Sequence, residues 1–252
     1  MAEDGGDAFT WCRSNLSSLL GGKVDIESCV LVGESAGGTI VSVLAHQLVP
    51  MPRAMVNIYG PTDFLDPHYS PSTPPNAVDI QPLTDKWSEE DCAQGIKSRD
   101  LSKAITVCPY VFDIPVQEVR DQWSAPEFEY TEAQRFNWEI KRYMRTKKLL
   151  FKVILRTDQM EDEKEEMEVF KAKSPLHMLD GKKKGEYPPT WFLHGESDMV
   201  VPIAQAERMQ AKLKEMGIET GTSYEPGQGH EFDNKYTVCH QRERGGRYLA
   251  DQ

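Results

Sequence analysis

No apolar run in this chain of 252 residues approaches the roughly 20 residues that a membrane-spanning helix needs. Positive charge is also scarce. Lys and Arg total 29 against 40 Asp and Glu, a net charge of -11, which argues against nucleic acid or an anionic membrane as the main partner. Cysteines number five (Cys12, Cys29, Cys92, Cys108, Cys239), an odd count with no paired spacing. That excludes a disulfide framework and supplies no metal knuckle, so free thiols, a reducing compartment, no metal and no cofactor are expected. The first residues, Met1 to Asp7, lack a basic then apolar leader, so the expected location is cytoplasmic, unless the true start lies upstream. No internal repeat is present. Asn15-Leu16-Ser17 fits a glycosylation sequon, which without a secretory signal reads as chance. The 39% of hydrophobic residues is enough to pack a core under a very polar surface.

What is there centres on Cys29 to Gly38. A short apolar run, Cys29 to Val32, reads as a buried strand. Small residues follow, then Ile40, Val43, Leu44 and Leu48 recur at helical spacing. Strand, sharp turn and helix put Ser35 on the turn, flanked as Gly33-Glu34-Ser35-Ala36-Gly37, the Gly-x-Ser-x-Gly pattern of a nucleophile elbow. Both glycines are expected to be required, because a side chain two positions either side of the serine collides with neighbouring backbone. The following helix aims its first N–H groups at the spot where an oxyanion forms. Two other readings of the stretch are a glycine-rich turn with no chemistry and a phosphate cradle, although no Lys sits at P-loop spacing.

A helix is expected over 7–20, closed by Gly21-Gly22, and a second buried strand over Ala54 to Tyr59, ending in the turn Gly60-Pro61-Thr62-Asp63. From Phe64 to Lys173 the character changes. Prolines interrupt the early part and aromatics are dense, among them Trp87, Tyr110, Trp123, Phe136 and Trp138, as core or as a substrate wall. Phe136, Ile140, Tyr143, Met144 and Phe151 predict a helix between Glu132 and Leu155. The acidic run Glu161 to Glu168 reads as a solvated face. From Ser174 an α/β unit resumes. Thr190 to Leu193 is a third strand, ending at His194-Gly195-Glu196-Ser197-Asp198. A helix stopped by Gly217 follows, then a fourth strand over Thr220 to Tyr224 and a loop presenting His230. A last polar helix is expected beyond it.

A serine hydroxyl is a poor nucleophile at neutral pH. It needs a base in hydrogen-bond reach, and the base needs an anion to hold its tautomer. In an α/β sheet such groups meet beyond the carboxyl ends of the strands. Ser35, Asp198 and His230 each follow a strand, and their chain order is Ser, Asp, His. Ser35 is the candidate nucleophile, His230 the base and Asp198 the orienting acid, with Glu196 as an alternative acid. Ala36, Gly37 and Glu34 are the candidate oxyanion and substrate-binding groups. His46, His68, His177 and His240 follow no strand end and read as packing or surface residues, His194 as a brace for the acid loop.

These pieces together resemble an α/β-hydrolase of the hormone-sensitive-lipase-like or carboxylesterase-like branch. The matching residues are Gly-Glu-Ser-Ala-Gly-Gly (33–38), Tyr-Gly-Pro-Thr-Asp (59–63), Ser-Pro-Leu (174–176), His-Gly-Glu-Ser-Asp-Met-Val-Val-Pro (194–202) and Gly-Gln-Gly-His-Glu-Phe (227–232). The resemblance implies a partial α/β-hydrolase fold, a mostly parallel sheet flanked by helices. Residues 1–63 and 174–252 form the core, and 64–173 form a large, mainly helical cap insertion. Only 34 residues precede Ser35, where the resemblance implies four further strands and a His-Gly-Gly oxyanion motif. His-Gly-Gly occurs nowhere in the chain. The strand at 29–32 is therefore expected to be an apolar sheet edge, open to an oligomeric contact.

Three readings follow. One is a serine hydrolase of small carboxylic esters working through an acyl-enzyme. Another is a catalytically impaired or non-catalytic fragment, from a truncated gene model or with a binding role. The third is a related peptidase or transacylase.

Overall fold

The computed structural model describes residues 2–77, 86–98 and 131–233. Tyr110, Trp123, His240, Cys108, Cys239 and the expected last helix lie outside them. The chain divides into two compact units, one of 1–73 with 155–232 and the other of 74–154 with 233–252.

The first unit is built on four strands, β1 (Val30–Glu34), β2 (Ala54–Ile58), β3 (Thr190–Gly195) and β4 (Thr220–Glu225). All are parallel, in the order β1-β2-β3-β4. Parallel neighbours need crossover connections, and helices supply them. Two of the crossovers are α2 (Ala36–Leu44) between β1 and β2 and α7 (Ala204–Glu215) between β3 and β4, while α1 (Ala2–Leu19) precedes β1. The register pairs Val32 with Val56, Val56 with Trp191 and Trp191 with Gly221, so successive strands present the same parity to each face. One face carries Met55 and Phe192. It packs with Val41 of α2 and Ala45 just past it, Met209 and Leu213 of α7, and Leu176, Leu179 and Tyr187 into a single core. On the other face Val30, Val32 and Trp191 remain 49%, 59% and 48% exposed. β1 is the sheet edge among the described residues, so the apolar edge expected at 29–32 is present.

Local rules explain most element ends. α1 begins earlier than position 7, running through Gly5 and Gly6, because Gly5 is where it meets Leu44 of α2. Arg13 ties α1 to the approach to β1, donating to Ile26 O (2.8 Å) and to Glu27 (2.7 Å). α6 (Glu163–Lys173) starts where the Asp162 carboxylate accepts from the N–H groups of Lys164 and Glu165. Its acidic first turn complements the helix dipole.

Two side chains lock the elbow helix to the sheet. Asn57, fully buried on β2, donates to Gly38 O (3.1 Å) and Ser42 Oγ (2.9 Å) and accepts from Gly60 N (2.7 Å). His46, just past α2, donates from Nε2 to Pro175 O (3.1 Å) and stacks on Tyr187 at 4.6 Å. Its Nδ1 is buried without a hydrogen-bond partner among the described residues. Burial, reinforced by Lys182, lowers the imidazole to about 4, against the pull of the Pro175 carbonyl. An unfolded histidine binds its proton near 6.5, so the fold favours the neutral ring. This contribution is intact above pH 6.5 and is lost as pH falls from there toward 4. Urea denaturation at pH 7.5 and pH 4.5 is expected to show wild type losing on the order of 2 kcal/mol more than His46→Gln.

The second unit, among the described residues, is helical. α3 (Glu89–Lys97) carries a capping box from Ser88 and Asp91 and packs on α4 (Glu132–Thr146). Gly95 lies against Phe136 and Ile140, and Trp87 packs on Phe136 with centroids 5.4 Å apart. These aromatics are packing residues of their own unit. The single helix expected between Glu132 and Leu155 is in fact two. Lys148 takes a left-handed φ of 55°, and α5 (Leu150–Ile154) restarts after it. No described helix is long and apolar enough to cross a membrane.

Candidate active site

The carboxyl ends of β1, β3 and β4 deliver one side chain each to a common point. β1 ends at Glu34, and Ser35 turns the chain into α2 with φ 50° and ψ −119°. This is a costly conformation for a residue with a Cβ, of the sort held where the surroundings over-determine it. Three features hold it. Ser35 N donates to Ile58 O (2.9 Å), and Thr39 N reaches back to Ser35 O (3.3 Å) while its hydroxyl bonds Pro61 O (2.7 Å). Gly33 has no room for a side chain, since a Cβ there would lie 2.2 Å from Gly37 O. Gly37 itself is different, because a Cβ at that position meets nothing within 4 Å. The requirement for both glycines is therefore corrected. The second close approach belongs to Gly38, whose Cβ would lie 2.8 Å from the Gly60 Cα.

After β3 the chain folds back so that Asp198 N bonds Gly195 O (3.2 Å) and Ser197 N bonds Gln228 O (2.9 Å). The second bond staples the acid loop to the loop after β4. Asp198 is buried. Its Oδ1 accepts from the N–H groups of Val200 (2.8 Å) and Val201 (2.9 Å), and its Oδ2 accepts from His230 Nδ1 at 2.7 Å. His194 Nε2 lies 3.3 Å from the same Oδ2. Burial alone would raise this carboxyl, but the hydrogen bonds from His194, His230 and the Val201 N–H outweigh it and hold Asp198 well below the usual carboxylate range. An ionised carboxylate only accepts, so His230 carries its proton on Nδ1. The bare Nε2 then faces Ser35 Oγ at 2.9 Å. The fully buried Tyr59, at φ 41°, packs its ring on the His230 imidazole at 4.6 Å and on Phe232 at 5.9 Å.

The structure thus brings Ser35, His230 and Asp198 together in one hydrogen-bonded line. Ala36 and Gly37 open α2, where the first N–H groups have no acceptor inside the helix. Glu34 is exposed beside them. Glu196 is also exposed, while the Nδ1 of His230 is taken by Asp198. His46 and His177 bond elsewhere, to Pro175 O and to Asp63.

Sequence reasoning missed the polar network beneath the turn after β2. Gln205 on α7 accepts from the N–H groups of Thr62 (2.9 Å) and Asp63 (2.8 Å) and donates to Asp66 (2.9 Å). Arg208 also bonds Asp66. Burial disfavours the Asp66 charge, yet the bonds from Arg208, the His68 N–H and Gln205 prevail and lower its pKa. The available signal was Thr62-Asp63 in the turn, with polar Gln205 and Arg208 interrupting an otherwise apolar helix stripe.

A family profile described as alpha/beta hydrolase fold matches residues 1–111, and one described as the prolyl oligopeptidase family matches 124–251. Among curated proteins, the non-reducing polyketide synthase pkbA of Emericella nidulans is 24% identical over 261 residues, covering 91% of this chain and 10% of its own length. The non-reducing polyketide synthase adrD of Penicillium roqueforti is 27% identical over 247 residues, covering 90% and 9%. The chain therefore spans about a tenth of the length of these relatives. Among solved structures, a hyperthermophilic esterase from Pyrobaculum calidifontis aligns with TM-score 0.46 and 18% identity, over 93% of this chain and 54% of that one. An esterase from Thermogutta terrifontis aligns with TM-score 0.43 and 16% identity, over 92% and 56%.

Proposed function

We propose that this chain, which belongs to the α/β-hydrolase family, hormone-sensitive-lipase-like or carboxylesterase-like in kind, is a serine hydrolase that opens carboxylic esters through an acyl-enzyme. The observation that carries the reading is the line from Ser35 Oγ to His230 Nε2 (2.9 Å) and from His230 Nδ1 to Asp198 (2.7 Å). Ser35 attacks the ester carbonyl while His230 takes its proton. Asp198 fixes the tautomer and stabilises the imidazolium. Charge developing on the carbonyl oxygen meets the N–H groups of Ala36 and Gly37 at the start of α2. His230 then protonates the leaving alcohol, and a water deprotonated by His230 releases the acid.

The His-Gly-Gly donor motif is absent from the sequence. The match to the prolyl oligopeptidase profile over 124–251 favours peptide hydrolysis as a second reading.

The test is a panel of p-nitrophenyl esters, a thioester and a peptidyl p-nitroanilide, run beside labelling with a fluorophosphonate. The expected result is ester turnover with one label per chain, on Ser35. Faster cleavage of the anilide than of the esters would move the assignment to a peptidase. A cooperatively folded chain that takes no label and turns over nothing would leave only the non-catalytic reading.

A further inference from the structure

We infer that His194 is a positioning residue of this site, an imidazole whose Nε2–H holds the Asp198 loop in place and limits the negative charge that Asp198 presents to His230. The inference rests on the hydrolase reading for its role and on geometry for its substance.

His194 lies on β3 with no exposed surface. Its Nε2 faces two oxygens, Val201 O at 2.8 Å and Asp198 Oδ2 at 3.3 Å. Both only accept when the carboxyl is ionised, so Nε2 carries the hydrogen and shares it between them. The opposite nitrogen, Nδ1, is buried and has no hydrogen-bond partner among the described residues. A second proton there would be a buried donor with nothing to bond. In its neutral form the ring is therefore the Nε2–H tautomer.

The Asp198 carboxylate then has three hydrogen-bond donors, the N–H groups of Val200 and Val201 on Oδ1 and His230 on Oδ2, with the His194 N–H 3.3 Å from Oδ2 as a fourth, weaker contact. A carboxylate offers about four lone-pair positions, so its acceptor capacity is filled. The His194 contact has two consequences. Through Val201 O it anchors the loop that carries the two backbone donors. Through Oδ2 it drains charge from the oxygen that His230 also uses, which weakens the hold on the His230 imidazolium. Removing this donor is expected to make His230 more basic.

Other groups around the pair are Ser35 on the elbow, Tyr59 on the turn after β2, and Tyr69. Asp66 and Asp63 lie beyond Tyr69. Burial first, and then the carboxylates of Asp66 and Asp198, push the Tyr69 phenol well up, so it stays protonated.

The test has two arms. In the first, the tautomer of wild-type chain labelled with nitrogen-15 in histidine is read by NMR at pH 8. The His194 nitrogens are expected to show hydrogen on Nε2, and hydrogen on Nδ1 instead would overturn the proposal. In the second, His194→Met and His194→Gln are compared with wild type. His194→Met is expected to raise the His230 titration midpoint by about half a pH unit or more and to lower kcat for p-nitrophenyl butyrate about 10- to 100-fold at little change in KM. The acid limb of its kcat/KM profile moves up in step. His194→Gln, which returns an N–H to the same place, is expected to restore both within about threefold. Equal losses in the two variants with an unmoved midpoint would reduce His194 to a core residue. The NMR midpoint is read without substrate, so it separates failure of this inference from failure of the hydrolase reading, which the absence of wild-type turnover and labelling reports. If neither variant folds, the wild-type tautomer still decides.

Discussion

Ser35→Ala is expected to lower kcat/KM on an activated ester by about 10⁵-fold and to remove fluorophosphonate labelling, with the melting temperature unchanged. The variant keeps a Cβ at φ 50°, so it inherits the backbone cost of the turn and loses only the hydroxyl. Ser35→Gly separates the two effects. It is equally inactive, but glycine tolerates this conformation and should gain about 1 kcal/mol on urea denaturation. Asp198→Asn completes the series. Val200 and Val201 donate to Oδ1, so the asparagine must turn its carbonyl toward them and its amide toward His230. A donor then faces Nδ1, the proton moves to Nε2, and Ser35 meets an N–H instead of a lone pair. The expected loss in kcat is about 10⁴-fold. Full activity in either Ser35 variant would place the chemistry elsewhere in the chain.

The next largest effect is expected from Gly60→Ala. A Cβ at Gly60 would lie 2.6 Å from Gly38 Cα, 2.7 Å from Gly38 C and 2.8 Å from Ser35 O. All three are backbone atoms of the elbow and its helix, so none can swing away as a side-chain tip would. Relief requires α2 to move off β2, and that move also breaks the bonds of Asn57 to Gly38 O and Gly60 N. The loss should be about 3 kcal/mol or more, read from the urea midpoint, and Ser35 should leave the reach of His230. Gly37→Ala is the control. It meets nothing within 4 Å and sits in the first turn of a helix, so it should be neutral or gain up to about 1 kcal/mol. If Gly37→Ala proves as damaging as Gly60→Ala, the backbone crossing is not the reason for either glycine.

That contrast also marks what the sequence makes legible. Ser35 and Asp198 could be read because each follows a mainly apolar run, and parallel strands put such positions at one end of the sheet. The first three strands were readable for the same reason, whereas β4, Thr-Gly-Thr-Ser-Tyr-Glu, is not apolar and His230 was read from the loop that follows this short stretch. Gly37 was misjudged because its spacing from Ser35 looks equivalent to that of Gly33. The actual second crossing involves Gly60, distant in the sequence, and only the packing of α2 on β2 creates it. Asn57, Gln205 and Arg208 were opaque for a related reason. Each is a polar residue in a position that local pattern assigns to core or solvent, and each earns its place through partners far along the chain. Lys148 hid a helix break inside a periodic stretch, since apolar spacing carried on past a residue with φ 55°.

The order of the strands has one more implication. The acid arises from β3, an inner strand, while the alcohol follows β1 and the base follows β4, the two outer strands, each paired with one neighbour among the described residues. Outer strands open at lower free energy than inner ones. Gentle warming should therefore draw the hydroxyl and the imidazole apart while the carboxylate is still held in the sheet. Inactivation of that kind comes before melting and reverses on cooling.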